Sequence, residues 1–328
     1  MKKEGTKNKS NTINQEVKVH LFSGTNSHYL GEEIAENYGK ELGNLNIKRF
    51  SDGEIHPEIQ ESIRGSYVFF IQSTFAPAEN LMELLLLLDA AKRASAAYIC
   101  AIIPYFGYAR QDRKDKPRVP ISAKLMANLL QAAGATRVMT MDLHADQIQG
   151  FFDIPVDHLK AEYLYFKHLR GRYGDHISNM VFAAPDVGGV KRARIYAKEF
   201  KSRLVICDKH RERANQVAGM TVIGDVNGAD VILVDDLVDT AGTLCTAADV
   251  LIQNGAKSVR AICTHPILSG KAYENIENSK LEELLVCDTI PLKRSSPKIE
   301  VIHTAELFAK AIMHTHDNLS ISQLFVSE

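Results

Sequence analysis

The sequence predicts an α/β protein made of two similar halves, each a mainly parallel β-sheet with helices on both faces. Three observations carry this. Short unbroken runs rich in β-branched and aromatic residues (YVFFI, VILV) alternate with stretches of helical apolar spacing, and strands that are apolar without a break belong to parallel sheets covered on both sides. Two units also match each other: each runs from a strand through a loop of about seven residues and a helix to a small-residue turn, ASAA or GAKS, and then to a second strand, ICAII or VRAIC. Finally, 328 residues at 45% apolar and 24% charged suffice to bury two cores.

In chain order, the opening MKKEGTKNKSNTINQE is polar and lacks the apolar centre of a secretory signal, so residues 1–16 are expected to be a disordered tail. VKVHLFSG reads as a strand and NSHYLGEEIAENYGKEL as a helix, with Asn26 or Ser27 as its N-cap. RFSDGEIHPEIQESIRG is a polar turn between strands. The first repeated unit occupies YVFFIQSTFAPAENLMELLLLLDAAKRASAAYICAIIPY. VFAAPDVGGVKRARIYAKEF is another strand and helix, ICDKHRERANQVAGM a strand entering a basic loop, and the second repeated unit starts at Val231. The boundary is placed after residue 160, giving domains 17–160 and 161–328, with the C-terminal segment free to cross back to the first.

Composition narrows the partners. Lys plus Arg number 39 and Asp plus Glu 40, so no charge excess points to nucleic acid or an anionic membrane. The five cysteines show no CxxC spacing and sit mostly in apolar runs, which suits a reducing compartment, and no apolar run approaches the roughly 20 residues needed to span a bilayer. A cytoplasmic protein is expected.

The chemistry starts at residues 231–244, VILVDDLVDTAGTL. In open α/β sheets ligands bind beyond the carboxyl ends of the strands, so Asp235 and Asp236, following VILV, face a crevice. Asp239, Thr240, Ala241, Gly242 and Thr243 then lead into a helix whose first-turn N–H groups and dipole favour a phosphate. Carboxylates beside an anion site make sense for a sugar phosphate: the loop surrounds the phosphate, and the carboxylates accept hydrogen bonds from sugar hydroxyls. Read singly, Asp239 or Thr240 is an ordinary helix cap. The usual nucleotide loop GxxxxGK[ST] does not occur.

This stretch resembles the phosphoribosyl-binding signature shared by phosphoribosyltransferases and the ribose-phosphate pyrophosphokinases, and four further segments resemble the second family, in its order along the chain. RFSDGE is similar to the loop that reaches the ATP of a neighbouring subunit, which implies ATP contacts for Phe50, Asp52, Gly53 and Glu54. YFGYARQDRKDKPRVPISAKL is similar to the ATP segment, with Arg110 and Gln111 in the nucleotide-contacting positions; arginine suits phosphate oxygens through its planar fork. TMDLHADQIQGFF and APDVGG place His144 and Asp186 where the resembling enzymes hold Mg²⁺ bound to ATP, with water and phosphate oxygens completing the shell. ICDKHRERANQVAGM is similar to the catalytic flexible loop, with Lys209 and Arg211 as its basic pair; two cations closing over a polyphosphate neutralise charge as the bond breaks.

The resemblance spans nearly the whole chain. It implies two duplicated phosphoribosyltransferase-type domains, Mg²⁺, homohexamers built from dimers, and transfer of pyrophosphate from ATP to ribose 5-phosphate, with Arg211, Asp235, Asp236 and residues 239–243 on the sugar phosphate. Alternatives are a phosphoribosyltransferase, which needs neither RQDRK nor the first half; a silent regulatory homologue, which would lack the basic loop; and an RNA-binding module. Pro117, Pro266, Lys271, His303, Thr304 and Ala305 depart from the family pattern around its phosphate and ADP effector site, so altered effector control is expected.

Overall fold

The computed structural model describes residues 17–210 and 219–325; the expected tail, residues 1–16, lies outside the described residues. The first half runs β1 (Val19–Ser23), α1 (His28–Tyr38), β2 (Leu45–Arg49), β3 (Ile55–Ile59), β4 (Tyr67–Ile71), α2 (Glu79–Arg93), β5 (Tyr98–Ile103), α3 (Ser122–Ala133), β6 (Arg137–Met141) and β7 (Val156–Leu159). The second runs α4 (Glu162–Tyr173), β8 (Val181–Ala184), α5 (Val190–Glu199), β9 (Arg203–His210), β10 (Gly219–Ile223), β11 (Asp230–Val238), α6 (Gly242–Gln253), β12 (Ser258–Pro266), α7 (Ala272–Asn278), β13 (Glu283–Cys287), β14 (Ile299–Ile302) and α8 (Ala305–His316).

Among the described residues the strands form three sheets: β1-β4-β5-β6-β7, β10-β9-β8-β11-β12-β13-β14, and the separate hairpin β2-β3. The first sheet is parallel throughout, and the second is parallel except where β10 pairs antiparallel with β9. The order β1-β4-β5-β6-β7 repeats as β8-β11-β12-β13-β14, so the duplication expected from the two matching units is present. The halves differ in their hairpins: β9-β10 joins the edge of its sheet, whereas β2-β3 stands apart.

Side-chain alternation explains the layering. Phe69, Ile71, Ile102 and Met139 point from the first sheet into the same core as Phe182, Ile232, Val234 and Leu285 from the second. The opposite faces are covered by α2 and α3 on the first sheet and by α6 and α7 on the second. Helices α1, α4, α5 and α8 fill the middle layer. There α8 packs on α1, burying Phe308 and Ile312 with Leu30 and Ile34, while Phe166 of α4 meets Tyr196 of α5 edge-on with centroids 5.1 Å apart. Each such side chain contributes about 1.5–3 kcal/mol when fully buried, so this layer ties the halves into one body.

Two local expectations change. Ser27 stands at the N-cap of α1 without capping it; its Oγ accepts the Ser73 N–H at 2.8 Å, joining the loops after β1 and β4. Strand β11 continues through Asp235 and Asp236 to Val238, which leaves only residues 239–241 between strand and helix rather than a seven-residue loop. No described helix is long and apolar enough to cross a membrane.

Candidate active site

The carboxyl ends of β5, β6, β8, β11 and β12 converge on a cleft between the two sheets, where the parallel topology places a ligand. First-half side chains touch second-half ones across it. The His144 Nδ1–H donates to Asp236 Oδ2 at 2.7 Å, and Arg110 Nη1 donates to Asp239 Oδ2 at 2.8 Å. Below them the Thr264 hydroxyl donates to Asp142 Oδ2 at 2.6 Å, and Tyr105, His144, Asp236 and His265 line a cavity of about 10 Å³, room for a single water.

The adjacent carboxylates are not equivalent. Asp236 is only 4% exposed and both of its oxygens are used, Oδ2 by His144 and Oδ1 by Arg192 Nη1 at 3.1 Å. Asp235 has a side chain 28% exposed and accepts the Asp236 N–H on Oδ1 at 2.9 Å, with Arg192 Nη1 at 3.7 Å. Burial alone would raise the Asp236 carboxyl, but the His144 hydrogen bond and the Arg192 charge outweigh it and hold it below the usual range. Burial, then the Asp236 charge, pushes Asp235 up. The Asp236 hydrogen bond likewise raises His144.

The loop between β11 and α6 has the shape of an anion cradle. Ala241 takes a left-handed conformation, φ 62°, and is buried, which turns the chain abruptly into α6; neither Asp239 nor Thr240 caps the helix. The Asn275 side chain holds the Thr240 carbonyl at 2.9 Å. A Cβ on Gly242 would meet nothing closer than Thr240 Oγ1 at 3.7 Å, so packing within the chain does not demand glycine there. The missing side chain instead leaves the first-turn N–H groups approachable by a phosphate. Asp239 is braced by the Ser269 hydroxyl as well as by Arg110, and these bonds overcome burial to lower its carboxyl.

The nucleotide segment enters from the first half. Gly107 is required, because a Cβ there would lie 2.0 Å from the Thr74 carbonyl oxygen, and its N–H donates to Thr74 Oγ1 at 2.8 Å. That anchor fixes the loop carrying Arg110 and Gln111. Gln111 is tied to α3 through the Ser122 hydroxyl and the Ala123 N–H.

The remaining expected residues are dispersed. Asp186 is exposed and accepts the Gly189 N–H at 3.0 Å, which shapes the loop after β8. Phe50, Asp52, Gly53 and Glu54 form the exposed tip of β2-β3 and bond to one another: Glu54 N–H to Asp52 Oδ1 at 3.1 Å, Phe50 N–H to the Glu54 carbonyl at 2.9 Å. Phe50 is 55% exposed and packs on His56. The backbone of Lys209 lies in β9 opposite Met220, and Arg211 lies outside the described residues.

Arg192 was not singled out from the sequence, although a signal existed. Lys191 and Arg192 occupy the first turn of α5, where the helix dipole disfavours cations, so each calls for an anionic partner. Lys191 finds Asp146 at 2.5 Å, and Arg192 finds the carboxylate pair.

Each of the two expected metal ligands is held in place by a hydrogen bond of its own. With Nδ1–H committed to Asp236, His144 keeps Nε2 as its ligating nitrogen, the carboxylate–histidine arrangement common behind metals. Asp186 is an exposed carboxylate, the kind of oxygen donor that Mg²⁺ takes beside water and phosphate. Among the described residues a three-donor cluster, Glu33, Asp288 and His303, lies elsewhere, at the seam of α1 and α8. There Asp288 accepts the Thr304 N–H and hydroxyl, so Thr304 serves packing at that point.

Comparisons with known proteins agree with this architecture. A family model described as the N-terminal domain of ribose phosphate pyrophosphokinase matches residues 19–134, and one described as the phosphoribosyl synthetase-associated domain matches residues 208–326. The chain is 53% identical over 313 residues to a ribose-phosphate pyrophosphokinase of Porphyromonas gingivalis, covering 95% of this chain and 99% of that one. It is 55% identical over 307 residues to the enzyme of the same name from Wolinella succinogenes, covering 93% and 98%. The crystal structure of a phosphoribosylpyrophosphate synthetase from Mycobacterium smegmatis superposes with a TM-score of 0.87 at 38% identity, covering 92% of this chain and 99% of that one.

Proposed function

The chain belongs to the ribose-phosphate pyrophosphokinase family, and from that premise we propose that it joins ATP and ribose 5-phosphate to give AMP and phosphoribosyl pyrophosphate (PRPP). The anomeric oxygen attacks the β-phosphorus of ATP, the bond from that phosphorus to the α–β bridging oxygen breaks, and the bridging oxygen leaves with AMP. The anomeric proton passes to solvent, and no side chain is assigned as its acceptor.

One observation carries the reading: the nucleotide loop and the sugar-phosphate loop meet, Arg110 on Asp239 and His144 on Asp236, so both substrates would lie within reach of each other. Such transfers depend mainly on positioning and charge stabilisation. Residues 239–243 take the 5-phosphate, and Asp235, the less buried member of its pair, accepts ribose hydroxyls. Arg110 and Gln111 hold the nucleotide. Lys209 and Arg211 neutralise the charge that builds on the polyphosphate. Mg²⁺ would be held by His144 and Asp186 and would supply charge neutralisation of the triphosphate.

The separate β2-β3 hairpin, with Phe50 exposed at its tip, supports a homo-oligomer of the hexameric type in which Phe50, Asp52, Gly53 and Glu54 complete the ATP site of a neighbour. We place the domain boundary near residue 160, where β7 gives way to α4. All five cysteines are buried and unpaired, which suits the cytoplasm.

The test is chromatographic: purified protein with Mg²⁺, ATP and ribose 5-phosphate is assayed for AMP and PRPP, beside Lys209→Ala. Equal amounts of both, dependent on the sugar and falling at least about 100-fold in the variant, are expected. AMP formed without the sugar, or no AMP at all, would count against the proposal.

A further inference from the structure

We propose that Arg192 is a positioning residue for ribose 5-phosphate, acting through Asp235 and Asp236 rather than touching the reacting atoms; this rests on the proposed function. The argument starts from electrostatics. Two neighbouring carboxylates in the last part of β11 repel each other, and hydrogen bonding to sugar hydroxyls requires that Asp235 stay in place as an acceptor. A single nitrogen, Arg192 Nη1, lies 3.1 Å from Asp236 Oδ1 and 3.7 Å from Asp235 Oδ1. The arginine side chain is 23% exposed, so its charge is screened less than a surface cation's.

Its placement runs against helix preference. Arg192 sits in the first turn of α5, whose dipole disfavours it, and α5 is held in the middle layer by Ala193, Tyr196 and Ala197. The carboxylate pair is what makes a cation favourable there. Asp236 stands between Arg192 on one oxygen and His144 on the other, so the chain Arg192–Asp236–His144 crosses from the second half to the first. Asp235 is left the less buried of the two, its side chain 28% exposed. Without Arg192, Asp236 keeps His144 but Asp235 loses the only cation within 4 Å of it among the described residues.

The contact runs through one nitrogen and not through the guanidinium fork, which makes a specific prediction about substitutions. A point charge of similar reach should serve in part, whereas a neutral side chain of similar length should not. Arg192→Met is expected to raise KM for ribose 5-phosphate about 10- to 100-fold while KM for ATP moves less than about threefold, and Arg192→Lys should recover at least half of the loss on a logarithmic scale.

Steady-state kinetics of wild type, Arg192→Met, Arg192→Gln and Arg192→Lys, varying each substrate separately, tests this; if the methionine variant does not fold, the glutamine one takes its place. Equal rises in both KM values, a fall in kcat alone, or a lysine variant no better than the neutral ones would overturn it. If wild type yields no AMP, the pyrophosphokinase reading fails on its own. Arg192 is then judged by calorimetric binding of ribose 5-phosphate, where the neutral variants should bind about 10-fold or more weakly than wild type and unchanged or absent wild-type binding would refute the assignment.

Discussion

The two halves place corresponding strands, β4 and β11, in the same position and surround their carboxyl ends differently. By sheet order β4 corresponds to β11, and Gln72 and Ser73 follow Ile71 just past β4 where Asp235 and Asp236 follow Val234 in the last part of β11. In the first half the turn is filled from within. Glu83 of α2 accepts the Thr25 N–H at 2.7 Å, the Thr25 hydroxyl at 2.9 Å and the Gln72 side-chain N–H at 3.1 Å. Ser73 donates to the Thr289 carbonyl at 2.7 Å and accepts the Tyr105 N–H at 3.0 Å. In the second half the matching stretch carries Asp235 in β11 and then residues 239–243, with a glycine that packing does not require. Topology therefore supplies equivalent strand ends twice; side chains close the first, and on the proposed function they leave the second to the sugar phosphate.

Substitutions around the two strand ends should separate accordingly. The largest effect is expected from Asp235→Asn, which should lower kcat/KM about 100- to 1,000-fold, roughly 3–4 kcal/mol of transition-state stabilisation, with the melting temperature nearly unchanged. Its counterpart, Glu83→Ala, should do the reverse: three donors lose their buried acceptor, and denaturant unfolding should show a loss of about 2–3 kcal/mol while both KM values hold. A kinetic defect in Glu83→Ala without loss of stability would break the comparison.

Two histidines of the first half extend it. His158, 4% exposed, accepts the Leu143 N–H at 2.8 Å, and burial followed by the Lys160 charge lowers its pKa from 6.5 to about 4. A depressed histidine stabilises the fold above pH 6.5, and that stability is lost as pH falls from 6.5 toward 4, by about 2–3 kcal/mol. His144, raised by Asp236, has the opposite sign: its contribution is present at low pH and fades above the ordinary histidine range. Unfolding of wild type and His158→Asn followed across that interval should show a shallower acid loss in the variant. The smallest effect belongs to Asp239→Asn, whose bond to Arg110 is half-exposed; a change in KM of about threefold to tenfold is expected for ribose 5-phosphate.

Much of this was legible in the sequence because it is local. Unbroken apolar strands announced buried parallel sheets, and DDLVDTAGT carried its own chemistry within one turn. What depended on distant packing was not. The apolar face of α8 shows that it must be covered but not that α1 of the other half covers it. The run of β11 past Asp236 comes from pairing with β12, where Leu237 and Val238 stand opposite His265 and Pro266, and the alternation of that strand leaves Asp236 buried and Asp235 partly buried. Arg192 lay in plain sight as a cation at the wrong end of a helix, yet its partners are more than forty residues away.

The proposal that only the second crevice takes the sugar phosphate is tested most directly by titration calorimetry of ribose 5-phosphate in the presence of Mg²⁺ and an ATP analogue with a carbon bridge between the α and β phosphorus atoms, which cannot transfer pyrophosphate. One sugar phosphate per chain, abolished in Asp235→Asn and retained in Glu83→Ala, is the expected result. Two per chain, or full binding that survives Asp235→Asn, would contradict the account.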